Sequence, residues 1–142
     1  MHKIQWNDSL SVGVDAIDRQ HKIWIEHFNN VVDAFESGHG QERIIETLGF
    51  LSDYTSTHFA MEDRLMVSAN YPELDAHRAK HKELTGTVDD LVRDFREDGV
   101  SQQLADAIET LLGNWLIKHI ENVDRSFGDY VQEHSIALDD ED

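Results

Sequence analysis

The sequence contains no cysteine, which removes disulfides, thiolate metal sites and cysteine nucleophiles from consideration. It contains a single proline, Pro72, so little in it interrupts a long helix. Basic residues are scarce, 12 against 29 acidic ones, and the formal net charge is -17. Such a surface repels phosphate backbones and anionic headgroups, so nucleic acid and membrane surfaces are not expected as partners. The charge reads as solubility; an unidentified basic protein partner is compatible with it but has no further support. No run of about 18 apolar residues is present, so no membrane-spanning helix is expected. The first residues, from Met1 to Asp8, lack the apolar core of a secretory signal, and a cytoplasmic location is expected.

What is present is helical periodicity. The 142 residues fall in the size range of one domain with its own core, and a monomer is the expected state. Ile17, His21, Trp24, Phe28, Val31 and Phe35 recur in steps of four and three, the signature of one helical face. A turn signal follows at Ser37-Gly38-His39-Gly40. A second stripe runs Ile44, Leu48, Leu51, Thr55, His58, Glu62, Leu65 and ends before Pro72, because the residue preceding a proline is pushed out of the helical region. The third is Leu74, His77, His81, Leu84, Val88, Leu91, Phe95, closed by Asp98-Gly99. Ser101 is a good N-cap for a fourth, with Leu104, Ile108, Leu112, Trp115 and His119 facing inward. Four amphipathic helices with short connections make an all-α, up-down-up-down antiparallel four-helix bundle. Residues 1–14 precede it as an arm packed by Trp6 and Val12, and residues from about 135 to 142 form a frayed acidic tail.

The unusual feature is what sits in the apolar stripes. His21, His58, Glu62, His77, His81 and His119 are all in register with core residues. One histidine on such a face is ordinarily a satisfied core residue. Five of them on four helices, together with a carboxylate whose burial is costly unless compensated, point to a metal, for which neutral imidazole and carboxylate are both ligands. His58 and Glu62, and His77 and His81, are each four apart and share a helical face. Asp124 lies five beyond His119, off its direction on a regular helix; a local π-bulge, or an end to the helix near Glu121, would turn it inward. His2, His27, His39 and His134 fall outside the stripes and are expected at the surface. Five imidazoles and two carboxylates are too many for one ion. Two octahedral metals sharing both carboxylates and one solvent oxygen would have eleven of twelve positions filled, leaving one for a small ligand.

These residues resemble the hemerythrin family in its bacterial branch, over nearly the whole chain. Trp6 with the segment from Ser11 to His21 is similar to the family's N-terminal signature; His58-Phe59-Ala60-Met61-Glu62 is similar to its H-F-x-x-E segment; Tyr71-Pro72 with His77 and His81, then the stretch from Trp115 to Ile120 with Asp124, complete the pattern. The resemblance implies two non-haem irons, one held by His77, His81 and His119 and the other by His21 and His58. Glu62, Asp124 and an oxo or hydroxo group would bridge them. Molecular oxygen would bind reversibly at the second iron, for carriage, storage or delivery. Phe59 and Leu116 match positions that line the oxygen pocket. Trp24 occupies a pocket position where the family usually has a smaller aliphatic residue; its ring either restricts the pocket or turns toward the neighbouring helix and packs the core. An oxygen or redox sensor acting through a separate partner, or an iron-buffering protein, would use the same site. A ferritin-like di-iron oxidase is disfavoured because no Glu-x-x-His pair contains a proposed ligand, and no enzymatic activity is expected.

Overall fold

A computed structural model of the chain describes residues 3–38, 40–99 and 101–136. Three unbroken helices, α1 (Asp15–Glu36), α2 (Gln41–Ser68) and α3 (Leu74–Asp98), precede a fourth, α4, that changes pitch along its length. It is α-helical over Gln102–Ala107, π-helical over Ile108–Asn114, α-helical over Trp115–Lys118, π-helical again over His119–Asp124 and α-helical over Arg125–Glu133. The architecture is an all-α four-helix bundle, and there is no strand among the described residues. Nor is any helix there long and apolar enough to cross a membrane.

The helix ends follow the local chemistry expected of them. Asn70 adopts the left-handed conformation (φ 53°) after α2, and the Tyr71 amide closes the turn on the Met66 carbonyl at 3.0 Å just before Pro72. Gly99, at φ 77°, ends α3. Ser101 caps α4 by accepting a hydrogen bond from the Leu104 amide at 3.1 Å.

The apolar stripes form the core, with Ile17, Leu48, Val31, Phe95 and Ile108 fully enclosed. Three stripe residues depart from expectation, since Phe35, Leu74 and Trp115 are half-buried. Phe35 and Leu74 sit in terminal turns, where the bundle covers only one side of a helix. Trp115 follows the first π segment, whose wider turn shifts the helical phase so that Leu116 takes the inner position and is buried instead. His134 is exposed as expected, whereas His27 is half-buried, its ring 5.2 Å from that of Tyr54. His2, His39 and residues 137–142 of the expected acidic tail lie outside the described residues.

Residues preceding α1 are fastened to the bundle by paired polar contacts. Asn29 exchanges two hydrogen bonds with the Ile4 backbone, both 2.8 Å. Asp18 accepts from the Val12 amide at 2.9 Å and from the Ser11 hydroxyl at 2.6 Å. Arg125 donates to the Ser9 carbonyl, Lys22 covers the half-buried Trp6 ring, and Val12 is buried. The close approach of Val12 to α4 depends on Gly128: a Cβ there would stand 1.9 Å from the Val12 carbonyl oxygen. Gly128→Ala is therefore expected to displace this segment and to lower stability by about 1–3 kcal/mol, as overpacking does. Denaturant melts followed by tryptophan fluorescence measure this, and an unchanged midpoint would mean that the segment is not seated against Gly128.

Candidate metal centre

Toward the end of the bundle where α1 and α3 begin, each helix turns polar groups inward: His21 from α1, His58 and Glu62 from α2, His77 and His81 from α3, His119 and Asp124 from α4. All are at most 5% exposed, and His21, His58, Glu62 and Asp124 are fully buried. The structure thus brings together every one of the seven ligand candidates in the sequence. The (i, i+4) spacing accounts for the pairs on α2 and α3. Asp124 is brought inward by the π-helical His119–Asp124 segment, in which a residue five positions on returns to nearly the same face.

The seven side chains fall into two overlapping groups. Glu62, His77, His81, His119 and Asp124 form one; His21, His58, Glu62 and Asp124 form the other. The carboxylates belong to both, and their oxygens divide between them. Glu62 Oε1 lies 2.8 Å from His77 Nε2 and 3.2 Å from His81 Nε2. Its Oε2 lies 2.7 Å from His58 Nε2 and 3.6 Å from His21 Nε2. Asp124 Oδ1 is 3.0 Å from both His77 Nε2 and His119 Nε2, while Oδ2 is 2.9 Å from His21 Nε2. Each carboxylate spans the two histidine groups with one oxygen toward each.

Most of these distances are of hydrogen-bond length, yet none has hydrogen-bond alignment: both oxygens of Glu62 and Asp124 and the Nε2 atoms of all five histidines are buried without a partner. The donor atoms converge on shared points instead of pairing along nitrogen–oxygen lines. One orphaned buried polar group costs about 1–3 kcal/mol, so this many would approach the roughly 5–15 kcal/mol that holds an ordinary domain together. Two cations placed at the points of convergence would satisfy all of them. An all-nitrogen-and-oxygen donor set with bridging carboxylates fits a pair of divalent or trivalent first-row ions.

Outside the cluster, further residues fix the rings. Gln20, almost fully buried, lies with Oε1 2.9 Å from His58 Nδ1. A ring proton on Nδ1 is donated to that carbonyl, which leaves Nε2 with its lone pair toward the centre. Asp63 Oδ1 stands 3.5 Å from His81 Nδ1 without a hydrogen bond between them, and its other oxygen, Oδ2, lies 3.4 Å from Arg78 Nε. Sequence reasoning assigned neither Gln20 nor Asp63 a role. Gln20 carried a usable signal, a polar residue beside His21 on the buried side of α1; Asp63, half-exposed, carried none.

Aromatic rings wall the cluster. Phe59 stacks flat on His81, with centroids 3.7 Å apart and planes at 6°. Trp24 lies 4.9 Å from the His58 ring, 6.1 Å from His21 and edge-on to Phe59 at 5.4 Å. Its indole nitrogen donates to Thr55 Oγ1 of α2 at 2.9 Å, and the Thr55 hydroxyl donates onward to the Leu51 carbonyl at 2.7 Å. Trp24 therefore turns its nitrogen to the neighbouring helix while its ring stays beside the two histidines. Beyond it, Trp24, Leu51, Leu112 and Leu116 help enclose a cavity of about 10 Å³, scarcely room for one water.

Without metal, protons take up part of the charge balance. Burial alone would lower the pKa of His21, but Asp124 and Glu62 outweigh it and hold the group up to about 9. His77 is likewise pushed down by burial, yet held up to about 10 by Asp124 and Glu62. His58 is lowered, because burial exceeds the pull of Glu62. Burial works against ionisation of Glu62 and Asp124, but the surrounding histidines hold both well below the usual carboxylate range. At neutral pH two imidazolium groups face two carboxylates, and both protons must leave before those rings can bind metal. Loading the metal-free protein at pH 7 should release about two protons per centre from these two rings, in addition to those lost by bridging solvent, with the ring contribution falling to about one between pH 9 and 10 and to none above. Apparent affinity accordingly rises with pH up to about 10. Calorimetry in buffers of different ionisation enthalpy counts these protons, and release near zero at pH 7 would contradict the assignment of both.

The chain is similar over most of its length to known proteins. Residues 12–131 match the model of the hemerythrin HHE cation binding domain. A bacteriohemerythrin of Pseudomonas aeruginosa is 34% identical over 137 residues, 96% of this chain and 86% of that protein. One of Stenotrophomonas maltophilia is 32% identical over 94% of this chain and 85% of its own length. A crystal structure of wild-type hemerythrin superposes with a TM-score of 0.81 at 27% identity, covering 92% of this chain and 98% of that one. With the family's domain spanning most of its length and its fold and ligand-bearing helices in place, the chain belongs to the hemerythrin family.

Proposed function

We infer that this protein binds molecular oxygen reversibly at a non-haem di-iron centre and serves in oxygen carriage, storage or delivery. His77, His81 and His119 would hold one iron, and His21 and His58 the other, with Glu62 and Asp124 shared. The observation that carries this reading is the unequal division of donors: five residues surround one point and four the other, two of them common to both. With a single solvent oxygen added between the ions, the first would be six-coordinate and the second five-coordinate, leaving its sixth position for a small ligand. The iron pair, when bound, supplies two electrons to oxygen and recovers them on release.

The chain's own residues set the conditions for that exchange. Gln20 holds the His58 ring in one tautomer, and Trp24 and Phe59 lie against the ligand rings. Leu116 closes the wall between Trp24 and the deeper core. An apolar wall excludes water and stabilises no charged product, which favours release of oxygen unchanged over its reduction. This supports a binding protein over an enzyme. The lack of cysteine fits a reducing, cytoplasmic setting.

Purified protein is expected to carry about two irons per chain, since the donor set suits two octahedral ions. Its reduced form should be nearly colourless, gain a visible charge-transfer band under oxygen, and lose it when oxygen is removed. Iron near one per chain, or zinc without oxygen-dependent colour, would overturn the assignment.

Trp24 provides a second test. Trp24→Leu removes a buried ring beside His58 and the hydrogen bond that Thr55 accepts from it, though Thr55 keeps its bond to Leu51, at an expected cost of roughly 2–4 kcal/mol in stability. The space released adjoins the existing cavity, so azide should reach the centre faster in the variant than in the parent. Stopped-flow mixing measures both entry rates; equal rates with the stability loss still present would reduce Trp24 to a packing residue.

A further inference from the structure

On the outer seam between α3 and α4 lies a groove of about 280 Å³ lined by Lys80, Glu83, Trp115, Lys118 and His119. It shares Lys80, Asn122 and Val123 with a second groove of about 340 Å³ that reaches Tyr71 and His77, and together they have the size of a small-molecule site. Three features of the first groove have no use in the centre as described above. The Trp115 ring lies parallel to His119, centroids 4.4 Å apart and planes at 12°. Phe59 and Trp24 also touch ligand rings but are buried, so among the described residues Trp115 is the one ring stacked on a ligand histidine that also reaches solvent. His119 lines the groove, and its Nδ1, across the ring from the nitrogen aimed at the centre, is buried and has no hydrogen-bond partner. Lys80 and Lys118 are exposed at the rim and, among the described residues, neither forms an ion pair, although the chain carries a formal charge of -17.

A ring face and two unpaired cations describe an occupant that is aromatic and anionic. The contact of Trp115 with a ligand ring gives that occupant an electronic route to the centre. We propose that this groove is an electron-entry port at which a free reduced flavin mononucleotide docks, its ring against Trp115 and its phosphate toward Lys80 and Lys118, to return an oxidised centre to the ferrous state. The step rests on the di-iron reading above, since a diferric pair cannot take up oxygen until two electrons are restored. It balances as follows: the flavin hydroquinone anion loses two electrons, one to each ferric ion, leaves as oxidised flavin and gives one proton to solvent. Trp115 bridges the transfer and ends unchanged. Glu83 on the rim of the first groove and Glu73 on that of the second offset the two lysines in formal charge, so recognition of the phosphate falls to direct contact with the lysines.

The proposal is tested on the protein as purified, with oxidised flavin mononucleotide as the probe. Flavin fluorescence should be quenched on binding, and the paired variant Lys80→Glu/Lys118→Glu should weaken binding by about tenfold or more, as should replacing the probe by riboflavin, which lacks the phosphate. In stopped-flow reduction of the diferric protein, the lysine variant should slow photoreduced flavin mononucleotide by a similar factor without slowing the methyl viologen radical cation. Trp115→Leu should slow both reductants, and Trp115→Phe should restore most of the rate. Both lysines are exposed, so their variant remains decisive even if Trp115→Leu fails to fold. Absence of flavin binding by the parent, or equal binding and reduction rates in parent and lysine variant, would overturn the proposal. A protein that cycles oxygen but ignores flavin would refute the port alone, whereas flavin binding without oxygen-dependent colour would refute the oxygen reading.

Discussion

Two carboxylates buried at the centre of a helical bundle set the terms for the rest of the molecule. Glu62 and Asp124 are fully enclosed, and ionised carboxylates in such a place are unfavourable by several kcal/mol each unless positive charge meets them. No lysine or arginine stands at their oxygens among the described residues. Five imidazoles do, and imidazole can answer the charge in two ways: by taking a proton, or by standing aside for a metal ion. The first explains the raised pKa values of His21 and His77, and the second explains why no nitrogen–oxygen approach in the cluster is aligned as a hydrogen bond. The site is arranged for cations and tolerates protons in their place.

The backbone meets the same constraint in α4. A regular helix carrying His119 inward would direct a residue five positions later away from the centre, and the bundle needs a carboxylate there to span both groups. The π-helical turn over His119–Asp124 supplies it at the expense of regular hydrogen bonding in that turn, a deviation that π-bulges typically make at functional sites. The earlier π segment, Ile108–Asn114, has a different consequence. It moves Trp115 off the inner face and seats Leu116 there, so that one aromatic ring stacks on the outer side of His119 while an aliphatic side chain closes the core. It also brings Gly113 so near Phe28 that a Cβ would stand 3.0 Å from the ring.

Periodicity made the four helices legible in the sequence, along with their order and the inward direction of His21, His58, Glu62, His77, His81 and His119, because a polar residue in phase with a hydrophobic stripe has few other places to point. Asp124 was legible only conditionally, since spacing alone asked for a distortion without demanding it. The pattern did not reveal the first π segment: nothing in Ile108-Glu109-Thr110 departs from ordinary helical composition, and the shift it causes shows only in the exposure of Trp115. Gln20 and Asp63 escaped for a related reason. Their contacts join residues on different helices, or on faces that the stripe does not include, and such contacts depend on helix packing rather than on sequence spacing.

Around His21 and His58 the conflict is between dryness and access, and Trp24 stands on it. A smaller side chain there would leave room beside His21 and His58, but water would share that room. The indole fills it, and its one polar atom is satisfied by Thr55, so the wall gains area without leaving a stranded donor. The Thr55 hydroxyl is in turn anchored to the Leu51 carbonyl, which ties the orientation of the ring to the backbone of α2 rather than to a mobile side chain. Access to an ion held by His21 and His58 would then be governed by motion of α1 against α2, because the ring cannot swing aside without breaking that bond in a nearly dry interior. A wall of this kind admits a small neutral molecule during brief openings and resists a hydrated anion, whose water must be shed first. Discrimination would therefore arise before any ligand reaches the metal, from the packing of one tryptophan between two helices.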